Sequence, residues 1–160
     1  MKSVMVVSHA GSGSEHLCAG LDRCARVQWF QDKVILDHPL TVWSVGQLPH
    51  KLGNAAATVL FHLRYNHELT YKSCYATAKF IYLVRPPGGT TIPDLSPVAA
   101  VRYYCYRLRR MCEMARRTGG VLLTWDDVVS GRGLPLVADY LNLREPITVD
   151  APSSPLSFAL

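Results

Sequence analysis

Lys2–Ser8 (KSVMVVS), His9–His16 (HAGSGSEH) and Leu17–Val27 (LCAGLDRCARV) are three successive segments around which the rest of the chain is organised. The first segment is a valine-rich apolar run and predicts a buried strand. The second holds Gly11, Gly13 and three serines, and predicts a loop. In the third, Leu17, Leu21 and Cys24 recur on one side of a helix. A strand, a Gly/Ser loop and a helix together aim backbone N–H groups and a helix dipole at an anion. The loop is therefore read as a holder for a phosphate or sulfonate group of a nucleotide. An ordinary strand-to-helix turn with no ligand is the competing reading. No Walker lysine is present, and Gly11-Ser12-Gly13 is followed by Ser14-Glu15-His16, so GxGxxG fails as well.

The rest of the chain repeats the alternation. Val27–Phe30 predicts a second strand, and Val34–Leu36 and Thr41–Val45 are further short candidates. Asn54 is a plausible N-cap for a helix over Ala55–Tyr65 (AAATVLFHLRY). Asn66–Thr77 reads as irregular. Lys79–Val84 (KFIYLV) is continuous, β-branched and aromatic, the pattern of a central parallel strand. Arg85-Pro86-Pro87-Gly88-Gly89 must then be a loop. Asp94 or Ser96 can cap a long helix from about residue 98 to 117, stopped by Gly119-Gly120. In that helix Val98, Val101, Cys105, Leu108, Met111 or Cys112, and Ala115 follow a helical period and mark its apolar face. Val121–Trp125 predicts another buried strand, with Asp126-Asp127 at its carboxyl end, and Leu134–Leu143 a final amphipathic helix.

Alternating strands and helices imply an α/β, three-layer architecture: a mostly parallel sheet with helices on both faces. Residues 1–150 read as a single domain and 151–160 as a flexible tail. At 160 residues the chain can bury a core, and 49% hydrophobic with 18% charged residues excludes a disordered chain. A formal charge of +5 favours an anionic partner without choosing among them. No apolar run approaches the length of a membrane span, and no signal-peptide pattern is seen, so a cytoplasmic location is expected. The five cysteines (Cys18, Cys24, Cys74, Cys105, Cys112) form no CxxC pair and read as buried, reduced thiols. The histidines lack metal-ligand spacing, so no metal is assigned.

In such folds ligands lie beyond the carboxyl ends of the strands. That brings together His9–His16, the segment from Arg85 to Ser96, Asp126-Asp127, and the loop containing His50. Arg85, ending a buried strand, carries a fork of donors suited to phosphate; a salt bridge to a carboxylate is the alternative. Thr90, Thr91 and Ser96 are hydroxyl candidates beside it, or turn and capping residues. His50 could take a proton from an attacking hydroxyl and Lys51 could stabilise a bridging oxygen; a solvated pair is the plainer reading. The long helix carries Arg102, Arg107, Arg109, Arg110, Arg116 and Arg117. These read as a solvated basic face, with Glu113 pairing Arg109 and Arg117; the alternatives are nucleic-acid binding, for which no recognised motif accompanies the charge, and a contribution to the nucleotide's 3′-phosphate.

Taken together, these pieces resemble the sulfotransferase family. Gly11-Ser12-Gly13-Ser14-Glu15-His16-Leu17 is similar to that family's first motif at its Ser, Gly, Ser and Leu positions. Lys79–Pro87 (KFIYLVRPP) is similar to its second, a strand ending in Arg and a Pro-containing loop. Pro49-His50-Lys51-Leu52 resembles the segment bearing the catalytic histidine, and Val121–Val128 (VLLTWDDV) resembles the later strand and acidic turn. The resemblance implies a P-loop-like fold using 3′-phosphoadenosine 5′-phosphosulfate as sulfuryl donor. By it, Gly11, Ser12, Gly13, Ser14, Glu15 and His16 hold the 5′-phosphosulfate, and Arg85 with Ser96 holds the 3′-phosphate. His50 is the general base, assisted by Lys51, and the acceptor is a small molecule or glycan. The family carries Lys or Arg where Gly11 stands, so only His9 or Lys51 could supply that cation. The alternative is a catalytically degenerate nucleotide-binding or protein-interaction domain on the same fold. The chain is short for the family, and a homodimer could complete the acceptor site.

Overall fold

The structure, a computed structural model, describes residues 2–24, 27–31, 58–63, 77–87 and 95–150. Five strands, β1 (Lys2–Val7), β2 (Val27–Gln31), β3 (Thr58–Leu63), β4 (Lys79–Val84) and β5 (Val121–Thr124), form one sheet in the order β2-β3-β1-β4-β5. Every pairing is parallel. The helices are α1 (Ser14–Asp22), α2 (Pro97–Thr118), α3 (Trp125–Val129) and α4 (Leu134–Leu141). The mostly parallel, three-layer α/β architecture expected from the sequence is the one observed. Among the described residues no helix is long and apolar enough to cross a membrane.

The period-2 alternation of the strands divides the core into two layers. Val4, Val6, Ile81, Leu83, Val121 and Leu123 pack with Leu17 and Leu21 of α1 and Leu134, Val137 and Leu141 of α4. Intervening residues meet the other face, where the Tyr82 hydroxyl hydrogen-bonds Thr118 of α2 at 2.6 Å. Each fully buried aliphatic side chain contributes roughly 1.5–3 kcal/mol. Both layers therefore favour the continuous apolar runs of β1 and β4, which are buried on either side. Gly120 ends the turn from α2 into β5 at φ 121°, with its Cα so close to Phe80 that a Cβ would lie 2.4 Å from that carbonyl oxygen. Only glycine fits there.

Several expectations change, among them the burial of all five cysteines: Cys18 and Cys24 are buried, but Cys105 and Cys112 are exposed on the outer side of α2. Residues 55–65 were expected to form a helix capped by Asn54, yet Thr58–Leu63 is β3, paired with β1 on one side and β2 on the other. A short apolar run reads alike as buried helix or buried strand. The two neighbouring strands supply the hydrogen bonds that decide it. The last strand stops at Thr124, and its burial is one-sided because it lies at the sheet edge: Leu122 is 64% exposed. Trp125 opens α3 instead. Thr124 and Asp127 cap that helix reciprocally, so the acidic turn serves as a capping box. Val34–Leu36 and Thr41–Val45 lie outside the described residues, as does the tail 151–160.

Candidate functional site

Between β1 and α1 the backbone turns at Gly11 (φ 74°) and Gly13 (φ 81°), both in the left-handed region. At Gly13 a side chain is excluded twice, since a Cβ would lie 2.1 Å from the Trp125 ring. Gly13 is the N-cap of α1 and supplies no side-chain cap, which leaves the helix start to the loop itself. Three buried hydroxyls gather beneath it. Ser14 Oγ lies 2.8 Å from Ser8 Oγ and accepts from Ser12 Oγ at 3.2 Å. Ser12 Oγ in turn accepts the Ser14 N–H at 3.3 Å. Glu15 is exposed and His16 half-buried, its ring tilted against Trp125 at 5.3 Å.

Parallel pairing of β1 with β4 brings the ends of the two strands side by side. Arg85 follows β4 and is 8% exposed. Its Nη1 donates to the Gly11 carbonyl at 3.5 Å, and its guanidinium lies over the Trp125 ring at 5.2 Å. His9 locks the strand ends together: its Nε2 accepts the Arg85 backbone N–H at 3.0 Å. The hydrogen must then sit on Nδ1, which donates to the Ala10 carbonyl at 2.9 Å. Burial is the main force holding the His9 pKa below its ordinary value, and the Arg107 and Arg85 charges push the same way. His9 is therefore a neutral structural ring, unsuited to act as the loop's cation.

Helix α2 closes the arrangement from the other side. The Tyr103 hydroxyl accepts the Ala10 N–H at 2.9 Å. The Tyr104 hydroxyl donates to the Arg85 carbonyl at 2.8 Å. One turn on, Arg107 is 1% exposed and its Nε donates to the Ser8 carbonyl at 2.7 Å. Arg107 thus does not belong to a solvated basic face. It lies inside the protein, with Met111 and Met114 as the buried side of α2. Arg102, Arg109, Arg116 and Arg117 are exposed as expected, but Glu113 pairs with Arg110 at 3.0 Å rather than with Arg109 or Arg117.

The structure therefore brings together Gly11, Ser12, Gly13, Ser14, Glu15, His16 and Arg85 from two separate stretches of sequence. Ser96 is the N-cap of α2, its hydroxyl accepting the Ala99 N–H at 3.3 Å on an exposed helix start. His50, Lys51, Thr90 and Thr91 lie outside the described residues. Trp125, Tyr103 and Tyr104 do not stand out in the sequence as site residues, and Arg107 enters there only as one of the six arginines of the long helix. Trp125 stands in the quoted VLLTWDDV segment, at the carboxyl end of β5, which was the one available signal. Chemically, the loop offers a helix N-terminus, buried hydroxyls and a guanidinium, a set suited to an anion with several oxygens.

No protein-family model matches the sequence, and a search of curated proteins returns none similar to it. Solved structures do match in fold. An unliganded sugar kinase from a Janibacter species superposes with a TM-score of 0.66 at 12% identity, over 90% of this chain and 96% of that one. A mouse sulfotransferase complexed with PAP gives 0.62 at 13% identity, over 93% of this chain. The match spans 60% of that sulfotransferase's length. Shikimate kinase from Bacteroides thetaiotaomicron gives 0.55 at 12% identity, over 89% of this chain and 99% of that one. The chain thus has the P-loop-like α/β fold that these kinases and the sulfotransferase share.

Proposed function

We propose that the chain binds 3′-phosphoadenosine 5′-phosphosulfate and transfers its sulfuryl group to a hydroxyl or amine of a small-molecule or glycan acceptor. The observation that supports this most is the pairing of the Gly11–Ser14 loop with Arg85. An anion cradle at the start of α1 sits beside a buried guanidinium, with no Walker lysine in the loop. The lysine is what a Walker-type kinase uses to reach terminal phosphates. Its absence favours sulfuryl over phosphoryl transfer within this fold.

In the proposed reaction the acceptor oxygen or nitrogen attacks sulfur. The bond from sulfur to the bridging phosphate oxygen breaks, and adenosine 3′,5′-bisphosphate leaves. The acceptor's proton passes to His50, and Lys51 balances charge on the bridging oxygen. The loop holds the 5′ end, while Arg85 and the Ser96 hydroxyl serve the 3′-phosphate. Such catalysis is mostly positioning and charge neutralisation.

Calorimetry with adenosine 3′,5′-bisphosphate tests the binding half. Arg85→Ala should weaken binding roughly ten- to a hundredfold, as loss of a charge-assisted hydrogen bond does. Preference for ATP over the bisphosphate would return the site to the kinase class. Gly11, standing where a cation serves chemistry in sulfotransferases, favours one second reading: a nucleotide-binding or interaction domain without transfer. Sulfation of any acceptor in a panel of sugars, phenols and amines would remove that reading.

A further inference from the structure

The apolar period of α2 does not face the sheet. Val98 is 63% exposed and Val101 60% exposed, and Cys105 and Cys112 are exposed as well. With half-buried Leu108 and Ala115 they form a seam spaced 3-4-3-4-3 along the helix. That is the spacing of residues that pack against a second helix. The seam continues into a groove of about 360 Å³ between α2 and the sheet edge, floored by Tyr82, Met111 and Leu122. Arg102, Arg109 and Arg116 run along the seam's other flank, seven residues apart and all exposed. Among the described residues none of the three has an acidic partner.

We infer that this face docks an amphipathic helix of a partner protein, with apolar residues at 3-4 spacing and acidic residues along the flank that meets Arg102, Arg109 and Arg116. The charge pattern selects this occupant. A second copy of α2 laid antiparallel would set arginine against arginine across the seam. Laid parallel, it would press the same arginines into the apolar groove, where a charge loses its water without gaining a partner. A strand added to β5 would find only four residues to pair with. An acidic-flanked helix instead covers the valines and the groove while pairing three cations. The inference stands on α2 and the sheet edge; the groove is also lined by Arg85 and Tyr104 of the candidate site, and the test below reads peptide binding and thiol protection without nucleotide.

The test uses the full chain and two synthetic three-heptad helices, both with leucine at the seam, one flanked by glutamate and one by lysine. The glutamate peptide should bind, weaken as salt rises, and protect Cys105 and Cys112 from maleimide as mapped by mass spectrometry. The lysine peptide should bind at least about tenfold more weakly. The triple variant R102E/R109E/R116E, all at exposed positions, should reverse the preference while keeping its circular dichroism spectrum and melting midpoint. Equal binding of both peptides, or no binding of either at millimolar concentration, would overturn the proposal. So would a dimer in sedimentation whose formation protects the two thiols. Faster labelling of them in a chain ended at Asp150 would overturn it too, because the tail would then be the occupant.

Discussion

His9 Nε2 accepts the backbone N–H of Arg85 at 3.0 Å, joining the first residue of the Gly/Ser loop to the residue that follows β4. The two halves of the candidate site are thus tied by a neutral imidazole rather than by a charge. Protonating that ring would put a hydrogen on Nε2, opposite the N–H it now accepts. It would also add a third positive charge beside Arg85 and Arg107.

This sets a pH dependence. The folded-state pKa of His9 lies below its unfolded value, so the unfolded chain takes up the proton first. The stabilisation is present above the unfolded value of about 6.5 and is lost as pH falls below it. The urea midpoint should fall between about pH 7 and pH 5, and His9→Asn should flatten that fall. Asp127 and Asp150, whose pKa values are lowered from 3.8, act only in more acidic solution. Parallel pH profiles for the two proteins would show that His9 is not the group responsible.

Gly13→Ala should destabilise the protein by at least about 2 kcal/mol, combining left-handed backbone strain with a collision against Trp125. The collision is relieved if the ring is removed. In a double-mutant cycle with Trp125→Ala the double variant should therefore lose less than the sum of the two single losses. Additive losses in chemical denaturation would mean that backbone strain alone is at work.

Arg107→Met should cost about 3 kcal/mol, because the Ser8 carbonyl is left buried without this donor. Arg109→Met, two residues on but exposed, should change the unfolding free energy by less than about 0.5 kcal/mol. Equal effects would contradict the inward orientation of Arg107.

Ser96 separates capping from ligand contact. Ser96→Ala should cost about 1 kcal/mol, the loss of an N-cap. Ser96→Asp keeps the cap, so the melting midpoint should hold. It also places a carboxylate where the proposal puts the 3′-phosphate, so affinity for adenosine 3′,5′-bisphosphate should drop. Unchanged affinity in calorimetry would leave Ser96 as a cap alone.

The loop between β1 and α1, the strand Lys79–Val84 with Arg85 after it, and the long helix are legible in the residues alone, and through them the parallel α/β fold. Each signal is local. A continuous apolar run, a glycine with no Cβ and a Gly-Gly stop act through their own backbone and burial. Other features depend on partners distant in the chain. Thr58–Leu63 is a strand because β1 and β2 flank it. Arg107 is buried because Ser8, 99 residues away in sequence, offers it a carbonyl. Met111 and Met114 are buried on the same side of α2, while the valine and cysteine seam faces out. Periodicity identifies an apolar stripe on a helix. Which stripe goes inside depends on the hydrogen bonds that the rest of the fold can supply.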